Sequence, residues 1–402
     1  MNANPTSGGM PMRMRREKQA APKHAAPKHA APKAHRLDTR ALIGIILLLV
    51  VGLIALFSAS YPAAISKFND GTFFVRRQGL YVLVGFVAML VISGIDYHVY
   101  LRFQKPLFIF CIALLILVPL VGVNHNGAKR WIELPVLGEF QPSELMKDAV
   151  IISFSYYAVR YGDRVRKIRG DLPFFGALSL IAGLLYWEPH LSATIIIFGI
   201  GLAILIVSGM KVWYFLPLGI VVGAAGTWYI TTQGYANARI KAWLDPFATY
   251  ELFRGDGWQG GNSQIAIGSG GFWGLGLGQG RQKHLYLPEP QNDFIFSAWC
   301  EEMGFIGALL VLVLFAFLIY RCYYIAFHAP DKMGCLIATG IATKLAIQTL
   351  VNLWVVTGLF PVTGASLPFF SYGGTALLMQ MGEMGIILNI SRYMRPSEKR
   401  RG

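Results

Sequence analysis

The densest run of chemistry-bearing side chains lies between Gly278 and Phe296. Arg281, Lys283, His284 and Glu289 all fall within the dozen residues before Asp293, and an apolar run starts directly after it. A carboxylate in front of a helix ordinarily serves as an N-cap. A cap does not require four ionisable neighbours, so the spacing points to one acid rimmed by cations. Such an acid can take a proton from a sugar hydroxyl while cations stabilise a departing pyrophosphate. The glycines at 274, 276, 278 and 280 form no dinucleotide fingerprint, because no βαβ unit surrounds them.

A second pair, Glu144 and Lys147, follows Pro142 in Gln141 to Lys147. A spacing of three sets both on one helix face, with Pro142 and Glu144 suited to the first turn. A structural ion pair and substrate contact weigh equally for Glu144; for Lys147 substrate contact weighs more. Just upstream stands Gly127-Ala128-Lys129-Arg130-Trp131, where an arginine fork can grip phosphate oxygens and tryptophan suits the headgroup level. Arg76 and Arg77 invite the same reading, and a plain interfacial anchor is the alternative for all of these. Ser371, in the Pro- and Gly-rich run 358–374, offers a hydroxyl to a sugar cleft. Glu301, Glu302, Lys344 and Glu383 lie within apolar runs and are expected to pair across neighbouring helices, with a proton relay as the lesser reading.

The elements that position these groups follow from composition. Of 402 residues, 54% are hydrophobic and 14% charged, against about 25% charge in soluble domains. An ordinary soluble enzyme is excluded. Ten apolar windows, near 41–60, 78–95, 106–123, 142–160, 172–187, 192–210, 212–231, 294–320, 334–358 and 367–391, predict an all-α membrane protein of ten transmembrane helices. The net charge of +15 is largely a tail property, since nine of the 36 Lys and Arg precede residue 41. Nucleic acid is therefore not an expected partner; membrane lipids are. Cys111, Cys300, Cys322 and Cys335 show neither zinc nor disulfide spacing.

Residues 1–40, with Ala-Ala-Pro-Lys repeated every five residues, read as a disordered basic tail. The membrane domain spans 41–391, and 392–402 form a basic C-terminal tail. With both termini in the cytoplasm, 24 Lys and Arg fall inside and 10 outside, as the positive-inside rule prefers. Residues 232–293 then form a large extracytoplasmic loop between the seventh and eighth helices. It is too apolar to stand free in water, so short helices and re-entrant pieces are expected.

The runs Gln141 to Lys147, Leu287 to Phe296 and Gly358 to Gly374 resemble the shape, elongation, division and sporulation (SEDS) family of peptidoglycan polymerases over residues 40–395. Arg281-Gln282-Lys283 with Tyr286 to Pro290 is more similar to the FtsW and SpoVE branch than to RodA. The resemblance implies a glycosyltransferase of the cytoplasmic membrane that joins lipid II, as donor, to a nascent glycan strand during cell division. It implies Asp293 as the essential acid and general base, with Glu144, Lys147, Lys129 and Arg130 at the matching family positions. A divalent cation, Mg2+ or Mn2+, is an optional cofactor, and no resident metal site is expected. A class B penicillin-binding protein that crosslinks the product, and other divisome proteins, are the implied partners. One departure stands out: Trp187-Glu188-Pro189-His190-Leu191 replaces the Gln-Pro-Asp-Leu-Gly of many members.

Alternatives from other classes are a lipid II flippase or transporter, a RodA-like elongation polymerase, and a scaffold without activity. Transport predicts midplane substrate groups and inverted repeats. No internal repeat is visible, and the candidate charges gather at one face.

Overall fold

The computed structural model describes residues 37–394, apart from 126–127, 135–137, 163–167, 215–218, 220–222, 224–230, 233, 248–256 and 285. The helices are α1 (Thr39–Phe68), α2 (Phe73–Gly94), α3 (Gln104–Val121), α4 (Pro142–Arg160), α5 (Ile168–Trp187) and α6 (Leu191–Ser208). They continue as α7 (Gly234–Leu244), α8 (Trp258–Gly270), α9 (Ile295–Phe327), α10 (Lys332–Val356) and α11 (Gly374–Arg392). Short 3-10 turns stand at Tyr97–Phe103 and Val212–Tyr214.

Among the described residues, seven helical stretches are long and apolar enough to cross a membrane. They comprise α1, α2, Tyr97–Val121, Gly170–Trp187, α6, α9 and α10. This is a multi-pass membrane protein. Both α4 and α11, at 19 residues each, have the length to cross but carry buried polar side chains. The window expected at 212–231 lies mostly outside the described residues, as do the tails at 1–36 and 395–402.

Local chemistry explains several boundaries. Asp38 caps α1 by accepting from the Ala41 amide at 2.9 Å, and Asp331 caps α10 by accepting from Gly334 at 2.7 Å. Pro142 opens α4, where a missing N–H costs nothing. The most enclosed span is α10, which packs against α4, α6, α8, α9 and α11. Down one side α11 runs along α2, and α1 covers α9.

The all-α expectation is corrected by one antiparallel sheet, β1 (Val123–His125), β2 (Ala128–Leu134) and β3 (Gly138–Phe140), in that order. Its register pairs Asn124 with Lys129 and Glu133 with Glu139. The reason was present in Lys129-Arg130-Trp131-Ile132-Glu133, because successive side chains of a strand serve opposite faces in turn. Lys129 and Glu133 are exposed while Arg130 between them is buried. Two adjacent bases on a strand cannot both face one site.

The loop before α9 docks against that helix at a break. Gly304 adopts φ 63° inside α9, and a side chain on it would meet the Gly274 backbone. Leu275 and Gly276 amides donate to the carbonyls of Glu301 and Glu302 at 3.0 and 2.9 Å, and the Phe305 amide donates to Gly271 at 2.9 Å. Backbone groups freed by the break thus find protein partners, the condition for irregular chain in a membrane bundle.

Candidate active site

Asp293 is not a helix cap. Phe294 occupies the N-cap position of α9, without a side-chain cap bond. Instead, the backbone around Asp293 is clamped between two loops. Asn352 on α10 donates through Nδ2 to the carbonyls of Asp293 and Ala365, both at 2.7 Å. Ser371 Oγ donates to the Asn292 carbonyl at 2.7 Å and accepts the Leu367 amide at 2.8 Å. The Tyr372 amide donates to Gln291 O at 2.8 Å. Ser371 therefore holds the site loop in place.

The cation facing Asp293 comes from β2. A Cβ built on Gly364 would lie 3.3 Å from Oδ2 of Asp293 and 3.5 Å from Nη1 of Arg130, so both groups converge on that glycine. Its φ of 74° also favours glycine. Arg130 is buried and positioned by neutral acceptors: Nε donates to Glu188 O at 3.2 Å, and Nη2 to Pro189 O. Burial pushes the Asp293 carboxyl up to about 6, against the pull of Arg130 and Arg239, while Glu289 adds to the rise. The acid is therefore ionised at neutral pH yet close enough to neutrality to accept a proton.

Behind Arg130 sits Glu188, fully buried, whose two carboxyl oxygens find no hydrogen bond among the described residues. Burial raises it to about 8, opposed by Arg130, so it is mostly protonated at pH 7. A neutral carboxyl does not cancel the guanidinium charge. His190, held at Nδ1 near Ser143 Oγ (3.2 Å) and Gln141 Nε2 (3.5 Å), is kept neutral by burial and by Arg130 and Lys147.

The other expected site residues divide sharply. Lys283 is buried, donating to Glu302 Oε1 at 2.6 Å and Ser58 Oγ at 3.1 Å. It belongs to the loop–helix joint and is not part of a rim around Asp293. The amides of Arg281 and Gln282 bond the Glu301 carboxylate, while the Arg281 and His284 side chains are exposed. Glu289 pairs with Lys67 at 2.8 Å at the surface. Arg77 lies over the Phe73 ring, 4.9 Å from its centroid, and Lys129 Nζ donates to the Pro119 carbonyl at 3.4 Å.

Glu144 and Lys147 form a buried ion pair at 2.6 Å, extended by Lys147 to Gln348 at 3.2 Å. Lys344 joins Glu383 and, at 3.0 Å, Asp148, with Glu144 at 3.9 Å. The pairing of Lys344 with Glu383 follows the expectation for neighbouring spans. Glu302 departs from it, taking a loop lysine as partner. Asp148, Gln348 and Asn352 carried no sequence signal beyond polarity. Arg239, on α7, lies in the 232–293 stretch and is one of the ten Lys and Arg that the topology places outside; that position against the inside bias was the available signal.

No group of three His, Cys, Asp or Glu side chains suited to a metal ion occurs among the described residues. The carboxylate at 293 faces guanidinium groups, a donor set that does not fit a cation cage.

The FtsW/RodA/SpoVE model, described as "Cell cycle protein", matches residues 39–396. The chain belongs to this family. It is 39% identical to a probable peptidoglycan glycosyltransferase FtsW from a Geobacter species, over 89% of this chain and 97% of that one. It is also 39% identical to stage V sporulation protein E of Bacillus subtilis, covering 87% and 95%. Among solved structures, a chain from a peptidoglycan synthase complex described as coordinating polymerization and crosslinking superposes with a TM-score of 0.72. That match has 25% identity and covers 89% of this chain and 98% of the other. Rod shape determining protein RodA of Thermus thermophilus gives 0.64, again at 25% identity with the same coverage. The resemblance noted from the motifs thus holds along residues 39–396.

Proposed function

We propose that the protein is a peptidoglycan glycosyltransferase that polymerises lipid II into glycan strands during cell division. The observation that carries the reading is Asp293: an acid relieved of capping duty, converging with Arg130 on Gly364. In the reaction, Asp293 takes the proton of an acceptor sugar's 4-hydroxyl as that oxygen attacks the anomeric carbon of the other substrate. The new C–O bond forms as the bond to the lipid diphosphate breaks, with inversion. Arg130 and Arg239 carry the charge that stabilises the departing diphosphate. Lys147 and Lys283, each committed to a buried carboxylate, are not assigned that task.

The membrane part is read as ten spans with both termini in the cytoplasm and Asp293 at the outer surface, supported by the basic-residue bias. A class B penicillin-binding protein is the proposed partner, in keeping with the synthase-complex relative. A divalent cation, Mg2+ or Mn2+, is proposed to arrive with the diphosphate.

The test is polymerisation of lipid II by the purified protein. Asp293→Ala is expected to lose about 10²–10⁴-fold in rate; glycan strands made at the normal rate would remove Asp293 as the base. Movement of labelled lipid II across liposomes without any polymerisation would favour transport instead.

A further inference from the structure

Among the described spans α2 is the least enclosed. Its buried face carries Phe74, Gln78, Gly85 and Met89, spaced as one helical stripe. Gln78 is 2% exposed, and an amide shut away from water must find protein partners. It finds them in the loop before α11: Nε2 donates to the Ser371 carbonyl and Oε1 accepts the Gly373 amide, both at 3.3 Å. We infer that Gln78 is a positioning residue for the reaction, holding Asp293 against the acceptor hydroxyl through residues 371–373. The inference rests on the proposed glycosyltransferase reading.

Three observations support it. First, the bonds run on without a gap. The two Gln78 bonds flank Tyr372, whose amide donates to Gln291 O at 2.8 Å, while Ser371 Oγ donates to Asn292 O at 2.7 Å. Gln78 is thereby linked to the two residues that precede Asp293. Second, the loop cannot slide along α2. One turn before Gln78, the Phe74 ring meets Tyr372 edge-on at 5.0 Å between centroids. Just beyond the loop, a Cβ on Gly374 would lie 2.3 Å from the Tyr81 ring, so the start of α11 sits directly on α2. Third, the far end of the same helix pair holds a second buried amide that leads nowhere near the site. Asn389 of α11 donates to the Ser93 carbonyl at 2.9 Å and accepts the Tyr97 amide at 3.2 Å. Both amides satisfy backbone groups; Gln78 alone of the two is joined to the Asp293 loop.

The experiment uses the full-length protein with Gln78→Leu, Gln78→Asn and the matched Asn389→Leu, in two arms. In the first, lipid II polymerisation is followed against pH. Gln78→Leu is expected to lower kcat about 10–10²-fold with KM little changed, because a base displaced by about 1 Å loses its alignment. The acid midpoint of kcat/KM, set near 6 by burial of Asp293, is expected to fall by about one unit as water reaches the freed loop. Arg130 of β2, Arg239 of α7 and Glu289 of the same loop act on that carboxyl and are left in place. Asn389→Leu is expected to lower the melting temperature and leave the midpoint at the wild-type value. In the second arm, labelling of Asp293 by dicyclohexylcarbodiimide, which attacks protonated carboxyls, is read by mass spectrometry over the same pH range. Its midpoint should fall in Gln78→Leu and not in Asn389→Leu. If wild-type protein makes no glycan, the function proposal fails while the labelling still reads the positioning. Lowered melting in Gln78→Leu with kcat and midpoint unmoved overturns the inference, as does a midpoint that Asn389→Leu moves equally. If Gln78→Leu does not fold, Gln78→Asn decides, since its amide is one methylene too short to reach both backbone groups: an unmoved kcat and midpoint overturn the inference.

Discussion

Two clusters of charge stand in this bundle, and they are built in opposite ways. In the interior, where α4, α10 and α11 meet, Lys147 and Lys344 are matched by Glu144, Asp148 and Glu383 at ion-pair distances. At the end of the bundle that carries Asp293, two acids are raised by burial, and the nearest guanidinium is anchored on carbonyl oxygens. Matched charge holds helices together; an acid raised by burial, as Asp293 is, can exchange a proton with a substrate. The difference separates structure from chemistry more cleanly than residue type does, because both clusters use the same acids and bases.

The widest separation is expected from paired substitutions. Lys344→Met leaves three carboxylates facing one lysine, and breaking a buried pair costs about 3–5 kcal/mol. Thermal unfolding in detergent should show that loss directly. Asp293→Asn is expected to do the reverse, abolishing polymerisation without lowering stability. The sign follows from linkage: the native carboxyl titrates near 6 against 3.8 in the unfolded chain. Its favourable contribution is therefore present below pH 3.8 and lost as pH rises through 6. Removing the charge at pH 7 thus takes away a native-state penalty. A folded, active Lys344→Met protein with unaltered melting would erase the distinction.

Next in size is Arg130→Lys. A lysine cannot place two donors on the adjacent carbonyls of Glu188 and Pro189, and an ammonium delocalises nothing over a diphosphate. About a 10²-fold loss in kcat is expected, with melting changed far less than for Lys344→Met. Lysine activity equal to arginine would show that charge alone suffices here.

How much of this could be seen beforehand depends on how local each contact is. Glu144 and Lys147 are three residues apart on a helix, so their pairing could be read from spacing. Asp293 could be read as well, because its apolar flank and ionisable run are contiguous. The rim of cations could not be read correctly. Lys283 is drawn inward by Glu302, 19 residues on, and by Ser58, 225 residues back. Its place near Asp293 is filled by Arg130 and Arg239, which arrive from a strand and a separate helix. The sheet itself was overlooked because its seven-residue middle strand is short beside the apolar windows. Its alternation is what turns Arg130 inward and Lys129 outward.

A smaller effect concerns acidity. The initial polymerisation rate should rise with pH and pass half its plateau near pH 6, since only the ionised Asp293 can accept the hydroxyl proton. Arg130 pulls that value down, so Arg130→Met should move the midpoint to higher pH in the residual activity. Lys147→Met should leave the midpoint where it is, because Lys147 is not among the charges acting on Asp293. A midpoint that follows Lys147 and ignores Arg130 would join the two clusters into one.

The smallest effect belongs to a surface pair that falls in neither cluster, although one member, Glu289, shortly precedes Asp293 in sequence. Lys67 and Glu289 meet at 2.8 Å, but both side chains are about half exposed. Water screens such a pair, and its contribution to stability is about 0–1 kcal/mol. Glu289 nevertheless adopts φ 49°, and its other oxygen accepts from Gln291 and Asn292 at 2.9 and 3.1 Å. Its carboxylate therefore serves the loop more than the ion pair. Lys67→Met should leave melting and polymerisation within error of wild type. Glu289→Gln keeps an acceptor for the loop while removing the negative charge that raises Asp293, so it should lower the pH midpoint slightly. A large loss of activity from Lys67→Met would mean that the outer rim holds substrate after all, and that exposure alone does not mark a charge as idle.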